Sequence, residues 1–325
     1  MHSARSLILD WLERGLIDPS KLRVAFELGG VLPTAAQWRR FLDRLLLWAG
    51  TVFVGAAVIF FFAFNWDALD RLAKLGIVEA LLLAALGLVW HLGLERAAGK
   101  AALLGAALVT GTLLALIGQI YQTGADTFEL FAVWAAAILP WTLLARFPAL
   151  WLLWIVLVNL AVWLYFRTFG WLLNGVFGVT FGAERQLWLL FALNSAALAI
   201  WEAGAVRIAW LRERWALRLI ATASGALVTA IAARYVLDWR SASGWALPAW
   251  LGWLGAVYAL YRYRVKDLYA LAGGVLSIIV VTVFFLSRHL LERGDAGAFL
   301  VIGLVVIGLS AAGGWWLREI ATEGA

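Results

Sequence analysis

One length recurs along this chain and constrains it more than anything else. Between residues 45 and 317 the sequence falls into apolar runs broken only by short charged stretches. Each run is about 17–22 residues, the length a helix needs to cross a hydrocarbon layer about 30 Å thick. The runs lie at 45–64, 72–93, 101–121, 129–145, 149–169, 187–205, 216–236, 246–262, 268–286 and 297–317. Composition agrees: 64% of the 325 residues are hydrophobic and 14% charged, against roughly half and a quarter in a soluble domain. Inside a bilayer every backbone N–H and C=O must be satisfied within its own segment or a closed barrel. Runs this long without two-residue alternation therefore predict an all-α fold, a polytopic transmembrane helix bundle of about ten helices.

Residues 1–44 are different. They carry seven basic residues (Arg5, Arg14, Lys21, Arg23, Arg39, Arg40 and Arg44), and Asp10, Glu13 and Arg14 interrupt any apolar run a cleaved targeting segment would need. The pattern predicts short helices: one over about 4–14 stopping at Gly15, a second opening at Asp18-Pro19 and ending near Gly29-Gly30, and a third starting around Pro33 and running into the first span. The expected organisation is a helical module at 1–44, the bundle at 45–317 and a short tail at 318–325. Proline at 140 and the run Arg146-Phe147-Pro148 predict a kinked fourth span turning tightly into the fifth.

Charge gives an orientation. If the N-terminus is cytoplasmic, 18 of the 26 Lys and Arg fall inside and 8 outside, among them Arg71, Lys74, Arg234 and Arg288. That is the bias expected of a membrane protein with both termini in the cytoplasm. The net charge of +6 is then orientation charge, with no nucleic-acid partner implied. Many of the 21 tryptophans, such as Trp48, Trp66, Trp90, Trp239, Trp245 and Trp315, sit near span ends, where an amphipathic ring suits the headgroup layer. Small pairs at four-residue spacing (Ala101/Gly105, Gly111/Ala115, Gly252/Ala256, Gly255/Ala259, Gly308/Ala312) point to close helix contacts.

Little in the sequence points to reaction chemistry. There is no cysteine, and His2, His91 and His289 stand far apart, so no metal site is expected. No phosphate-binding loop, nucleophile elbow or HExxH occurs, and the chain reads as a non-enzyme without a cofactor. The informative polar residues are Asn65 and Asp67 after the first span, Glu79 within the second, and Gln119, Tyr121, Gln122 and Asp126 around the end of the third. All lie toward one side of the membrane, and a carboxylate at the depth of Glu79 is costly unless paired or hydrated. They form a candidate ligand-binding or structural cluster, with Glu79 expected to turn inward toward Gln119 or Gln122 and Lys74 or Arg71 able to reach it. Asn159 and Asn194 are placed to meet across the fifth and sixth spans. Glu202 should pair near the basic loop, whose Arg207, Arg212, Arg214 and Arg218 suit an anionic lipid surface.

Three runs carry a family resemblance: Trp11-Leu12-Glu13-Arg14-Gly15-Leu16-Ile17-Asp18, Phe64-Asn65-Trp66-Asp67 and Gly118-Gln119-Ile120-Tyr121-Gln122-Thr123-Gly124-Ala125-Asp126. Over about residues 5–150 the chain resembles a family of uncharacterised bacterial multi-pass membrane proteins, domain of unknown function twenty-one fifty-seven. The resemblance implies a membrane location and the helical N-terminal module, and carries no activity; the expected membrane is a bacterial inner membrane. Two functions fit the residues: binding or transport of a small polar solute or cation at the cluster around Glu79, or a non-catalytic scaffold or sensor whose N-terminal module docks a partner.

Overall fold

The computed structural model describes residues 4–177, 183–240, 242–291 and 296–323. His2 and the last two residues of the tail lie outside the described residues. Among these the chain is helical throughout, with no strand: α1 (Ala4–Glu13), α2 (Leu22–Leu28), α3 (Ala35–Phe64), α4 (Arg71–Leu92), α5 (Ala97–Tyr121), α6 (Thr127–Ala145), α7 (Pro148–Phe177), α8 (Ala183–Ala205), α9 (Arg214–Leu237), α10 (Ala246–Ala259), α11 (Leu268–Leu291) and α12 (Ala296–Glu323). Nine of them are long and apolar enough to cross a membrane.

The tenth expected span is the exception. α10 has 14 α-helical residues, about 21 Å at 1.5 Å per residue, and does not cross by itself. It continues as a five-residue π-helical turn, Leu260–Arg264, because the Val265 amide reaches back to the carbonyl of Leu260.

The chain divides into two compact units, one up to Leu116 and one from Ile117, with the boundary inside α5. In the first, the local signals act as the sequence reads. Gly15 and Gly30 adopt the left-handed backbone that ends a helix. Asp18 accepts hydrogen bonds from the amide and the hydroxyl of Ser20, which hold its carboxyl below the ordinary carboxylate range. Thr34 and Gln37 form a reciprocal capping box that opens α3, and α3 runs unbroken through residue 44 into the first span. α3 and α5 approach closely: a Cβ on Gly55 would stand 2.8 Å from Leu108 Cδ1, and one on Gly105 would stand 3.8 Å from Thr51 Cγ2. The Ala101/Gly105 pair is thus a helix contact, as expected of small residues in lipid. The pairs at 252/256, 255/259 and 308/312 are not. Gly252, Gly255 and Gly308 have nothing within 4 Å of a built Cβ; for the two on α10 the reason is that this helix meets α9 through the face carrying Trp253 and Val257.

The second unit is centred on α9, whose buried residues include Ala216, Leu217, Ile220, Ala221, Val228 and Ile231. Its core gathers Ile155 of α7, Leu198 and Trp201 of α8, Val257 and Tyr261, Leu271 of α11 and Ile320 of α12. α6 and α7 are two separate helices, joined through Arg146 in the left-handed conformation and pinned by Trp154 Nε1 donating to the Ala135 carbonyl at 3.1 Å. Asn159 and Asn194 meet as the spacing predicts, with Asn194 Nδ2 donating to Asn159 Oδ1 at 2.6 Å. Two arginines one turn apart on α9 clamp its neighbours. Arg214 pairs with Glu202 of α8 at 2.8 Å, and Arg218 pairs with Asp267, at the start of α11, at 3.1 Å. Asp267 is only 3% exposed, so the pair also neutralises a buried charge.

Candidate functional site

A large cavity lies wholly within the second unit. It is a groove of about 980 Å³ between α9 and α11, with Trp253 and Val257 of α10 beneath it, at the upper end of the size usual for small-molecule sites. One wall is the ridge Thr222, Ala226, Ala230 and Arg234, spaced four residues apart along α9. The other is Tyr269, Gly273, Leu276, Val280 and Phe284 on α11. The ridge residues all point outward, as i, i+4 spacing on one helix face requires. The groove exists because its walls are small. Gly225 is so close to Trp253 that a Cβ there would stand 2.7 Å from Cη2, whereas Gly273 faces open space.

Polar groups under the groove are matched to one another. Trp250 Nε1 donates to Ser277 Oγ at 2.8 Å. Ser277 and Thr229 hydroxyls are 2.6 Å apart, and Thr229 donates its proton to the Gly225 carbonyl, also at 2.6 Å. With that proton committed, Ser277 must be the donor to Thr229, and the chain closes with every proton placed. Alongside, Trp253 Nε1 donates to Ser224 Oγ, which also bonds Ser195 Oγ. At the Thr222 end the Thr222 hydroxyl donates to the Arg218 carbonyl, leaving Tyr269 as donor across the 3.0 Å contact between the two hydroxyls. The floor therefore offers a visitor an apolar surface. At the opposite end stands Arg234, exposed and without an ion pair among the described residues, with Asp238 one turn on.

The seven motif residues are placed otherwise. Asn65, Asp67 and Glu79 belong to the first unit, and Gln119, Tyr121, Gln122 and Asp126 to the second. Asn65 ends α3 and donates to the Phe61 carbonyl at 2.9 Å. Asp67 is exposed in the turn before α4. Gln119 and Tyr121 are exposed on the last turn of α5, Gln122 follows in a left-handed conformation, and Asp126 is half-buried at the start of α6.

Glu79 corrects an expectation. It is exposed, and the residues of α4 that turn inward are Lys74 and Val78. Lys74 does not reach for Glu79. Its ammonium sits 3.8 Å from the centroid of the Trp66 ring, a cation–π contact that compensates its burial. Burial of Val78 and Lys74, four apart, sets the rotation of α4, and Glu79 is carried about 100° off that face.

The basic loop is largely tied to protein. Arg212 donates to the carbonyls of Ala205 and Val206, while Arg214 and Arg218 hold the ion pairs above. Arg207 is exposed.

Comparison with known proteins bears on one half of this description. Residues 9–151 match the family of predicted membrane proteins DUF2157. The family read from the motifs is therefore the family found, over nearly the same residues. The DUF2157 stretch contains α3 to α6 and every one of the seven motif residues. The groove, from Leu187 to Phe284, lies entirely beyond it. No curated protein and no solved structure matches the chain.

In the sequence Arg234 stands out only as orientation charge, and Thr222, Gly225, Thr229, Gly273 and Ser277 carry no mark of a site. The signal available was the dense small-residue pattern of 221–233, where alanine, glycine, serine and threonine recur on several faces of one helix.

Proposed function

We propose that this multi-pass membrane protein is a binding protein for an amphiphile, which lodges its hydrocarbon chain in the groove between α9 and α11. The observation that carries this reading is the groove's composition: about 980 Å³ of open space walled by small and apolar side chains, over a floor whose hydroxyls and indoles already bond one another. A small polar solute or free cation would find no unsatisfied partner along that floor and would lose its hydration for nothing. A hydrocarbon chain asks for none. The role is binding and presentation within the membrane, with no catalytic group called upon.

The test is retention of lipid through purification. The wild-type protein should carry bound lipid through exchange into a lipid-free detergent. Ala230→Phe, which fills the groove from the ridge of α9, should carry much less at equal thermal stability. Equal retention by both would reject the groove as the site.

A second reading has its own observation. The N-terminal module exposes Trp11, Leu16, Val24, Leu28 and Trp38, more apolar surface than a solvated helical module usually shows. This favours a docking role for residues 4–44. Amide exchange of this module should be slower in native membranes than in purified nanodiscs; identical exchange rates would dismiss the role.

A further inference from the structure

We infer that the occupant of the groove is an anionic lipid of the bilayer, with one acyl chain along the groove and its headgroup held by Arg234. This rests on the groove reading above and adds to it the chemical class of the ligand.

Energetics make the headgroup decisive. A chain moving from water into the groove would gain about 0.8 kcal/mol for each buried methylene. A chain moving in from the bilayer gains almost none of that, because lipid tails are as apolar as the groove walls. Selection must therefore come from shape and from a polar contact. Along the groove the hydroxyls of Thr222, Thr229, Ser277 and Tyr269 have placed their protons, and the indoles of Trp250 and Trp253 have placed theirs. Arg234 is the lining residue whose five donors have no hydrogen-bond or ion-pair partner among the described residues. A phosphate matches that fork in charge and geometry, and a zwitterionic headgroup offsets its own phosphate with a cation.

Depth agrees with this assignment. Just beyond Arg234 come Trp239 and Trp245, both exposed, with the Arg240 guanidinium 5.6 Å from the Trp239 ring, the signature of a headgroup layer. Arg288 is anchored nearby on the Val236 carbonyl, which adds positive charge at the same level. From Arg234 back to Thr222 is twelve residues of α9, about 18 Å at 1.5 Å per residue, slightly more than one leaflet of a core about 30 Å thick. The groove thus starts at an interfacial cation and runs one chain length inward. Asp238 also lines the mouth, one turn on from Arg234, and its charge works against an anion there.

The experiment uses the full chain in nanodiscs of phosphatidylcholine doped with phosphatidylglycerol of the same acyl chains, with retained lipid read by native mass spectrometry. Wild type should retain phosphatidylglycerol over phosphatidylcholine by about tenfold, the scale of one charge-assisted contact. Arg234→Gln should bring the two to parity, and Arg234→Lys should keep most of the preference. Gly273→Leu, placed where the structure has open space, should lower retention of both lipids alike. A preference unchanged in Arg234→Gln overturns the headgroup assignment and leaves the groove standing. Retention of both lipids unchanged in Gly273→Leu overturns the groove itself.

Discussion

The two units of this protein carry different kinds of information. The first holds most of the DUF2157 stretch and three of the seven residues that stand out in the sequence, yet Glu79 and Asp67 are exposed and Asn65 bonds only the Phe61 carbonyl and the amides of the turn that follows. The second is largely unmatched and reads as plain hydropathy, yet it contains the buried ion pairs, the inter-helix asparagine pair, the closed hydroxyl chain and the groove. Residues that are conspicuous because they are polar and those that are placed to do something need not coincide. In a membrane protein a polar group stands out in sequence wherever it sits, but it shapes the fold only where it is buried and paired.

Substitutions in the two units should therefore differ sharply in cost. The largest effect is expected at Arg218. Replacing it by leucine leaves the carboxylate of Asp267 buried without its cation, which should cost about 3 kcal/mol, measured as a shift in reversible unfolding in mixed micelles. The Tyr269 amide still donates to Asp267 and moderates the loss. Asn194→Leu should cost about 1 kcal/mol, the scale of an interhelical hydrogen bond in lipid, because Asn159 loses its partner on α8. The smallest effect is expected in the first unit. Glu79→Leu should change stability by less than about 0.5 kcal/mol, as surface substitutions usually do. A destabilisation there as large as at Arg218 would erase the distinction between the units.

Much of the architecture was legible, and the reasons are physical. Bilayer thickness stamps a length on each span, so ten apolar runs became ten helices, nine of them long enough to cross. Local punctuation was equally readable: Asp18-Pro19 and the turn at Arg146-Phe147-Pro148 depend on contacts within a few residues. The asparagine pair followed from depth alone, since adjacent antiparallel spans bring equal depths together. What failed depended on rotation about a helix axis. Hydropathy that is nearly uniform around α4 gives no face, so nothing in the sequence said that Lys74 would turn in onto Trp66 and Glu79 out. The change from α- to π-helix at Leu260 in the tenth run is likewise unmarked in its hydropathy. The groove was least legible of all. It is a space between helices, made by alanines and glycines that carry no chemical label, and its one distinctive residue was indistinguishable from the arginines that orient the chain.

The central claim, that the groove takes up a hydrocarbon chain, is tested most directly at its floor. Trp253 lies beneath Gly225 in the groove, and its fluorescence is isolated as the difference between wild type and Trp253→Phe. In nanodiscs containing lipids brominated along the acyl chain, that difference signal should be strongly quenched, and Gly273→Leu should protect it. A Trp253 signal quenched equally with and without Gly273→Leu, or not quenched in either, would contradict occupation of the groove by lipid.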